Sequence, residues 1–422
     1  MKRFACLAIP FALAACGDNL SGTTPIDAAD NTDSAVVIDA AVDAPPIDAP
    51  IDAPAVTYGG TVSLLEAAVL NPGTSGTFFG QGVQVGISFS GSDQVPGPVL
   101  EEAPGSPLGC KAWVYTRQQA IDASVGLDQG PIQINSPAGA PTALLPACVF
   151  TAGVGYSCPE VSTQSTGGTI AAIPAGPLAG FPSLTDLDTM FTVANSTNRY
   201  VRISGATNAA NNGVFPILAV AGANTIAYGN PAFVAETIPA TGGHINLAGV
   251  GPTPSAADPG FLADVASVDF VHAAGANIPA FTATTGVAGS VGDDFTLDIA
   301  DANLLNALPA DGSEFTVSCG TGSCASGSAT GSILNIVATD TTPGASPFDM
   351  PLPTTERVAI RCAAVGPAAN SITIPAAYSA YLMRPGIKRI QATFIRATLM
   401  GQSAPTVTAI SGHAIVGFTN RN

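Results

Sequence analysis

Residues 83–89, VQVGISF, decide the fold class of this chain. Apolar side chains occupy every second position from Val83 to Phe89, and small or polar residues lie between them. Since successive side chains of a β-strand point to opposite faces, this order gives one apolar and one polar face. The same two-residue period recurs at 113–115, 295–299, 315–317, 390–394 and 414–418. The pattern predicts a protein built from short strands.

Turn-forming residues separate these segments. The chain of 422 residues contains 46 Gly and 35 Pro. Helical patterning is confined to four short stretches, residues 64–70, 184–191, 260–268 and 300–308. Many short strands between turn signals predict a mainly β fold, with antiparallel sandwich-like domains, a small β insert and few short helices.

Composition divides the chain into five predicted regions. Gly/Pro-rich positions near 166–168 and 251–254 suggest the boundaries of the folded part. The regions are a lipoprotein signal peptide (1–15), a lipidated cysteine with a disordered acidic tether (16–56), an N-terminal β domain (57–165), a β insert (166–250) and a C-terminal β domain (251–422).

The first sixteen residues have the order of an export signal. Two basic residues precede an apolar run, residues 4–13, and small residues then lead to Cys16. The apolar run is too short to span a bilayer, so it predicts a signal peptide rather than a membrane helix. Leu13-Ala14-Ala15-Cys16 resembles the lipobox of bacterial lipoproteins. This resemblance implies that Cys16 is lipidated, and that the protein is anchored in the outer membrane, at the cell surface or on the periplasmic face.

Residues 17–56 predict an extended tether. They contain eight aspartates, no Lys or Arg, and a repeated Ile-Asp-Ala theme. Such a segment cannot bury enough apolar surface to offset the entropy of ordering it. About 40 residues would reach roughly 120 Å if extended and about 35 Å as a flexible coil. The composition resembles that of tethers on envelope lipoproteins of myxobacteria and their relatives.

Residues 190–231 have the most distinctive local pattern. Apolar runs are separated by a glycine turn at Gly205 and by Asn211-Asn212-Gly213. Asn-Gly between apolar runs predicts a tight hairpin, because both residues tolerate positive φ. The arrangement resembles small β modules of phage tail and bacterial surface proteins, which implies a compact β insert and no particular chemistry.

Six cysteines follow Cys16: Cys110, Cys148, Cys158, Cys319, Cys324 and Cys362. An even number in an exported chain predicts disulfides, and six cysteines allow fifteen pairings. Three lie early and three late, so complete pairing requires a bridge between the groups. A small Cys319–Cys324 loop and longer pairings such as Cys319–Cys362 both stay open. Trp113, three residues after Cys110, is interpreted as a core residue packed on a disulfide rather than a sugar-stacking platform.

The chain is acidic, with a formal net charge of −17 and only 10% charged residues. This negative charge disfavours binding to phosphate backbones and to anionic lipid surfaces, so no nucleic-acid partner is expected. The late bases are Arg357, Arg361, Arg384, Lys388, Arg389 and Arg396. They are interpreted as solvated edges of C-terminal strands, with a docking patch for an acidic glycan or partner as the alternative.

The sequence contains no recognisable catalytic constellation. His244, His272 and His413 are isolated from one another, whereas zinc sites usually show a closely spaced ligand pair. No Gly-x-Ser-x-Gly elbow and no phosphate-binding loop occurs. We therefore assign no catalytic, cofactor-binding or metal-binding residue.

Carboxylates are the only side chains in the sequence that suggest catalysis or metal binding. Glu101-Glu102 and Asp293-Asp294 are adjacent pairs, and Asp298, Asp301 and Asn303 follow the second pair. A glycosidase needs two carboxyl groups roughly 5–10 Å apart across a cleft. A calcium loop needs oxygen ligands at alternating positions around a glycine, and this spacing is not present. Surface solvation is the main interpretation, and calcium is the one cofactor left open.

These observations predict a non-enzymatic envelope lipoprotein with a structural, adhesive or ligand-binding role. Its expected partners are the membrane, through the lipid anchor, and an envelope protein or glycan. Two alternatives are an anchored polysaccharide hydrolase that uses paired carboxylates and an accessory subunit of an outer-membrane complex.

Overall fold

The computed structural model shows a mainly β protein, which confirms the predicted fold class. It describes residues 58–70, 78–91, 98–101, 108–119, 130–136, 142–151, 155–158, 161–187, 191–196, 199–222, 224–248, 261–262, 265–275, 277–287, 312–318, 330–342, 353–365, 371–403 and 406–420. The predicted signal peptide, Cys16 and the tether lie outside these ranges.

The strands account for most of the described residues. In chain order they are β1 (Tyr58–Leu70), β2 (Phe78–Gly91), β3 (Leu100–Glu101), β4 (Leu108–Thr116), β5 (Ile132–Ser136), β6 (Thr142–Thr151), β7 (Gly155–Ser157), β8 (Val161–Thr166), β9 (Gly168–Ala172), β10 (Pro182–Asp186), β11 (Tyr200–Ser204), β12 (Gly213–Gly222), β13 (Thr225–Tyr228), β14 (Glu236–Ile238), β15 (His244–Ala248), β16 (Ser267–His272), β17 (Phe281–Gly286), β18 (Phe315–Ser318), β19 (Thr330–Thr339), β20 (Glu356–Val365), β21 (Ser371–Ile374), β22 (Arg389–Ser403) and β23 (Thr406–Asn420).

Helices are few and short, as expected. They are α1 (Val193–Ser196), α2 (Ala376–Leu382), a helical turn at 117–119 and a 3₁₀ turn at Ala209–Asn211. Within the described ranges, no helix combines the length and the apolar character needed to cross a membrane.

One large sheet runs through the molecule in the order β14-β9-β10-β13-β12-β11-β15-β8-β2-β1-β23-β22-β19-β20-β4-β3. Neighbouring strands are antiparallel, except that β1 and β23 are parallel. Strands from both predicted β domains contribute to this sheet, since β1 pairs with β23 and β4 with β20. The boundaries of the predicted domains stay a prediction.

A smaller sheet, β17-β16-β5-β6-β7, shares a core with the middle of the large sheet. Val62 and Leu64 of β1 and Val83 of β2 are buried in one cluster with Ile134 of β5 and Phe270 of β16. The alternation of apolar and polar residues in β2 matches its packing, as the sequence predicted, because one face of the strand lies in the core. Two sheets with a common apolar interior form a sandwich-like layer.

A second core lies where β4, β20, β19 and β22 meet the short β18–β21 pair and α2. Phe315 of β18, Ile372 of β21 and Tyr378 of α2 are buried with the apolar face of these four strands. The Tyr378 hydroxyl donates a hydrogen bond of 2.8 Å to the carbonyl oxygen of Cys110, which fixes α2 to β4.

The helical prediction for residues 64–70 is wrong, because this run belongs to β1. Leu64 and Leu65 are both almost fully buried, at 0% and 1% exposure, although they point to opposite faces of the strand. A strand with both faces buried loses the two-residue alternation that distinguishes it from a helix. Residues 184–186 are likewise part of β10, 267–268 begin β16, and 300–308 lie outside the described residues.

Two disulfides stabilise the described fold. Cys110 of β4 is bonded to Cys362 of β20, and these residues are direct cross-strand partners separated by 252 positions in sequence. Cys148 of β6 is bonded to Cys158, ten positions later. The first bridge joins the early and late groups of cysteines and rules out the alternative Cys319–Cys362 pairing. Cys319 and Cys324 lie outside the described residues, and their pairing stays a prediction.

Trp113 is a core residue, but its predicted packing on a disulfide is wrong. Its side chain is 2% exposed. Cys110 and Ala112 belong to the apolar core on one face of β4. Trp113 is an odd number of residues from Cys110, so it faces the opposite side of the strand.

Candidate functional site

The insert has a core of its own and one exposed end. Strands β9 to β15 enclose buried side chains that include Ile170, Leu184, Ile226, Val201 and Leu247. The predicted compact β insert therefore coincides with a separate apolar cluster. The opposite face of these strands points away from that core, as the two-residue period requires.

Asparagine side chains organise the connection between β11 and β12. The side chain of Asn212 accepts a hydrogen bond from Ala206 N (2.9 Å) and donates one to Ala206 O (3.0 Å). Gly213 begins β12, which is antiparallel to β11, so the predicted hairpin is present, but its loop is longer than a two-residue turn. Positive φ angles occur at both Gly205 (69°) and Gly213 (150°).

A second asparagine network holds the segment before β14. Asn211 donates from Nδ2 to Val234 O (2.7 Å) and accepts at Oδ1 from Val234 N (3.0 Å). The carboxylate of Glu236 accepts hydrogen bonds from Asn208 N and Asn211 Nδ2. Asn230 donates to Ala210 O (2.9 Å). These side-chain bonds position Val234 at one end of the insert.

The β9–β10 hairpin contains a stretch without any polar side chain. Residues 171–182 read AAIPAGPLAGFP. Within the loop, Ile173 N donates to Phe181 O (2.9 Å) and Gly180 N to Ile173 O (3.1 Å). Phe181 N donates to Leu178 O at 3.1 Å. The loop is thus closed by its own backbone hydrogen bonds.

This loop, residues 173–181, projects from the module, and we call it the apolar tip. Phe181 is 40% exposed and Leu178 is half-buried. Gly176 and Gly180 adopt positive φ angles of 96° and 87°, and no atom lies within 4 Å of a Cβ built at either position. A side chain at either glycine would therefore point into open space, and most residues of the tip are exposed.

Further exposed apolar residues lie at the same end of the insert. Glu236 is paired with Ile170 in antiparallel strands, so Val234, two residues earlier, lies towards the tip. Tyr200 is paired with Pro216, which accepts a hydrogen bond from Gly229 N just beyond β13. Val234 and Tyr200 are 44% and 39% exposed.

Three charged groups of the insert, those of Asp186, Arg202 and Glu236, make internal contacts. Asp186 is buried and accepts a hydrogen bond from Phe191 N. Arg202 is buried beside Asn246, to whose Oδ1 it donates at 3.2 Å. Burial raises the pKa of Tyr228, and the charge of Glu236 raises it further. The exposed end therefore offers apolar contact and no charged side chain within residues 171–182.

Residues 261–262 connect the insert to the large sheet. Phe261 N and Leu262 N donate to the carboxylate of Glu66, which is buried in β1, at 3.1 and 3.3 Å. The guanidinium of Arg202 lies 4.3 Å from the centre of the Phe261 ring. His413 Nε2 is 3.6 Å from the Glu66 carboxylate. These contacts orient the insert against the sandwich.

The three histidines are not brought together. His244 lies in β15, His413 in β23 and His272 in β16. His272 is buried, its ring stacks on Phe281 with centroids 5.1 Å apart, and burial lowers its pKa. Within the described ranges, no group of three or more His, Cys, Asp or Glu residues could hold a metal ion.

Most predicted carboxylate candidates lie outside the described residues, namely Glu102, Asp293, Asp294, Asp298, Asp301 and Asn303. Glu101 is described, and its carboxylate forms a surface ion pair of 3.0 Å with Lys111. The calcium and hydrolase alternatives therefore stay predictions.

The interpretation of the late basic residues as solvated edges is wrong for Arg357 and Arg389, which are 3% and 1% exposed. Both are register partners of Thr339 on the central strand β19, so they share one buried face. Burial lowers the pKa of Arg357, whose guanidinium lies 5.5 Å from the centre of the Tyr115 ring. Arg384 is partly exposed and forms an ion pair of 2.7 Å with Glu356.

The comparisons with known proteins identify no family. No family model and no curated protein matches this chain. Among solved structures, the adhesive subunit CfaE of the CFA/I fimbria of enterotoxigenic Escherichia coli aligns with 8% identity over 86% of this chain and 99% of that chain. The TM-score is 0.09, so the alignment supports no statement about fold or function.

Proposed function

We propose that this protein is a lipid-anchored envelope lipoprotein that acts by binding, and that the insert is its recognition part. The distribution of exposed apolar side chains is the observation that carries this proposal. Eight large apolar residues are well exposed in the described part of the chain, and six belong to the insert: Phe181, Leu187, Val193, Tyr200, Leu218 and Val234.

Phe181, Tyr200 and Val234 lie at the tip end of the insert, whereas Leu187 follows the opposite end of β10. Single exposed apolar residues are ordinary, but a group of them at one end of a module is characteristic of interaction sites. The charges of Asp186 and Glu236 are held in internal contacts. The outer surface of the insert can therefore contact a partner without desolvating those charges.

The rest of the chain supports the role of a scaffold. The Cys110–Cys362 bridge joins distant parts of the sequence, and the contacts of Glu66 with residues 261–262 orient the insert. The lipobox at Leu13-Ala14-Ala15-Cys16 and the acidic tether would hold this body at a membrane. Binding from such an anchor requires no catalytic residue.

Binding to isolated envelope fractions tests the proposal. The full chain, purified from its producing cells, is compared with a Leu178→Asp/Phe181→Asp variant and with the control Thr282→Asp. Thr282 is exposed on β17, far in sequence from the insert. We expect the double variant to lose binding and the control to keep it. Equal binding by all three proteins would refute a recognition role for the exposed end of the insert.

The anchor is tested separately by mass spectrometry of the N-terminal peptide. An acylated Cys16 at the mature N-terminus is the expected result. A mature chain that begins elsewhere and carries no acyl group would overturn the lipoprotein assignment.

A further inference from the structure

We infer that the apolar tip enters the interfacial region of the bilayer that carries the lipid anchor. The inference rests on the proposed function, because the anchor supplies the nearby bilayer. The occupant is a phospholipid surface with neutral headgroups, and a protein partner or a second copy of the chain are outcomes that the test distinguishes.

Polarity is the first argument for a bilayer. Residues 171–182 contain no side chain that would need a hydrogen bond in an apolar medium. Ile173 N, Gly180 N and Phe181 N are bonded within the loop, whereas the N–H groups of Ala175, Gly176 and Leu178 would stay among the hydrated headgroups. Internal bonding of part of the backbone lowers the cost of bringing the loop into the interface.

Shape is the second argument. The tip is a projection with open space at Gly176 and Gly180, and it contains the prolines Pro174 and Pro177. A rigid protein surface would need a matching cavity to receive such a projection, whereas the headgroup region yields to a small apolar group. Interfacial segments typically bury their apolar side about 5–10 Å deep.

The residues around the tip have the composition of an interfacial contact. Leu178 and Phe181 supply apolar surface at the projection itself. Tyr200 lies at the same end, and its ring combines an apolar body with a hydroxyl group that stays hydrated. Aromatic residues of this kind are enriched at membrane–water interfaces.

Charge selects the type of lipid. The chain has a net charge of −17, residues 171–182 contain no Lys or Arg, and the half-buried Arg199 beside Tyr200 is a single basic residue against that charge. Long-range repulsion therefore disfavours an anionic surface, whereas a neutral headgroup is compatible with the tip. Binding should depend little on salt, because apolar burial rather than counterion release stabilises it.

Because the predicted tether keeps the tip close to the bilayer, even a weak affinity of the tip for lipid is sufficient for insertion. Residues 17–56 would hold the body at a typical distance of about 35 Å from its anchor as a flexible coil, and at no more than roughly 120 Å when extended. Short flexible linkers give effective concentrations in the millimolar range. The tip would then act as a second attachment point that orients the sandwich on the membrane.

Fluorescence of a Phe181→Trp variant of the full chain tests insertion directly. Trp113 is the only tryptophan of the natural chain and is buried, so its emission is a constant background. With vesicles of phosphatidylcholine brominated in the acyl chains, we expect a blue shift and quenching of the new tryptophan. The matched control is Thr185→Trp, on the exposed face of β10 away from the tip, which should not be quenched.

A second substitution complements the fluorescence. In the Phe181→Trp background, Leu178→Asp should weaken quenching by the brominated lipid by at least about tenfold, because a charge replaces an apolar group that contacts the lipid. Thr185→Asp should leave it unchanged. A protein that is held on the vesicles by its acyl group but shows no quenching at position 181 would refute the inference and leave the proposed function intact.

Two other outcomes would also overturn the inference. A blue shift that grows with protein concentration without lipid would identify a second copy of the chain as the occupant. Binding to envelope fractions but not to lipid vesicles would identify a protein partner. In both cases the insert would still be the recognition part of the protein. A mature chain without an acyl group on Cys16 would overturn only the assignment of the anchor.

Discussion

Removing the long disulfide should destabilise the protein far more than removing the short one. The variants are Cys110→Ala/Cys362→Ala and Cys148→Ala/Cys158→Ala, whose bridges span 252 and 10 positions. In the chain-entropy model, closing loops of these lengths stabilises the folded state by about 5.5 and about 2.7 kcal/mol. Cys110, Cys362 and Cys148 are fully buried and Cys158 is partly buried, so the loss of apolar contact adds slightly to the effect of removing the long bridge.

Urea unfolding of the full chain measures this difference. The free energy of unfolding should decrease by about 3 kcal/mol more for the long bridge than for the short one. The dependence of that free energy on urea concentration should also increase, because an unfolded chain without the long bridge exposes more surface.

The relative size of the two decreases in the free energy of unfolding tests this explanation. If the short-bridge variant is destabilised as much as the long-bridge variant, restriction of the unfolded chain is not the source of stabilisation. The Cys110–Cys362 bond would then be a local contact between two strands rather than a bond that holds two distant parts of the chain together.

Three further predictions concern single residues. Burial lowers the pKa of His272, so the unfolded chain binds more protons; the free energy of unfolding should fall as pH drops below about 6.5, and His272→Phe should flatten this dependence in urea titrations. An unchanged pH profile would contradict this. Gly205→Ala should lower the melting temperature more than Gly242→Ala, because both glycines have positive φ but only at Gly205 would a Cβ clash with the carbonyl oxygen of Gly242. Equal shifts would argue against the clash. Glu66→Gln should cost about 1–3 kcal/mol in urea unfolding, since two backbone N–H groups lose a charged acceptor. A loss below about 0.5 kcal/mol would count against this role.

Local pattern was sufficient to predict the fold class but not the pairing of strands. The alternation from Val83 to Phe89 is visible because only one face of β2 lies in the core. Leu64 and Leu65 are buried on both faces of β1, so their pattern resembled a helix. The parallel pairing of β1 with β23 joins the two ends of the described chain, and no local signal in the sequence specifies it.

The disulfides illustrate the same limit. The count and grouping of cysteines required a bridge between the early and the late group only if all six cysteines are paired. Its actual partners, Cys110 and Cys362, are adjacent only because β4 pairs with β20. A separation of 252 positions contains no information about that pairing.

The candidate site was readable in the sequence and yet was not singled out. Residues 171–182 contain no polar side chain, but they have neither the alternation of a strand nor the spacing of a motif. What the sequence could not show is that the stretch projects from the module, with Val234 and Tyr200 at the same end. Exposure, rather than composition, distinguishes a contact surface from a core.

Hydrogen–deuterium exchange of the full chain, with and without isolated envelope membranes, tests most directly whether the insert makes the contact. We expect slower exchange in peptides that cover residues 171–182, where Gly180 N and Phe181 N already form hydrogen bonds in the free protein. Peptides from β19, on the far side of the large sheet, should exchange at the same rate in both samples. Unchanged exchange over 171–182, with protection confined to the sandwich, would contradict the assignment of the insert as the recognition part.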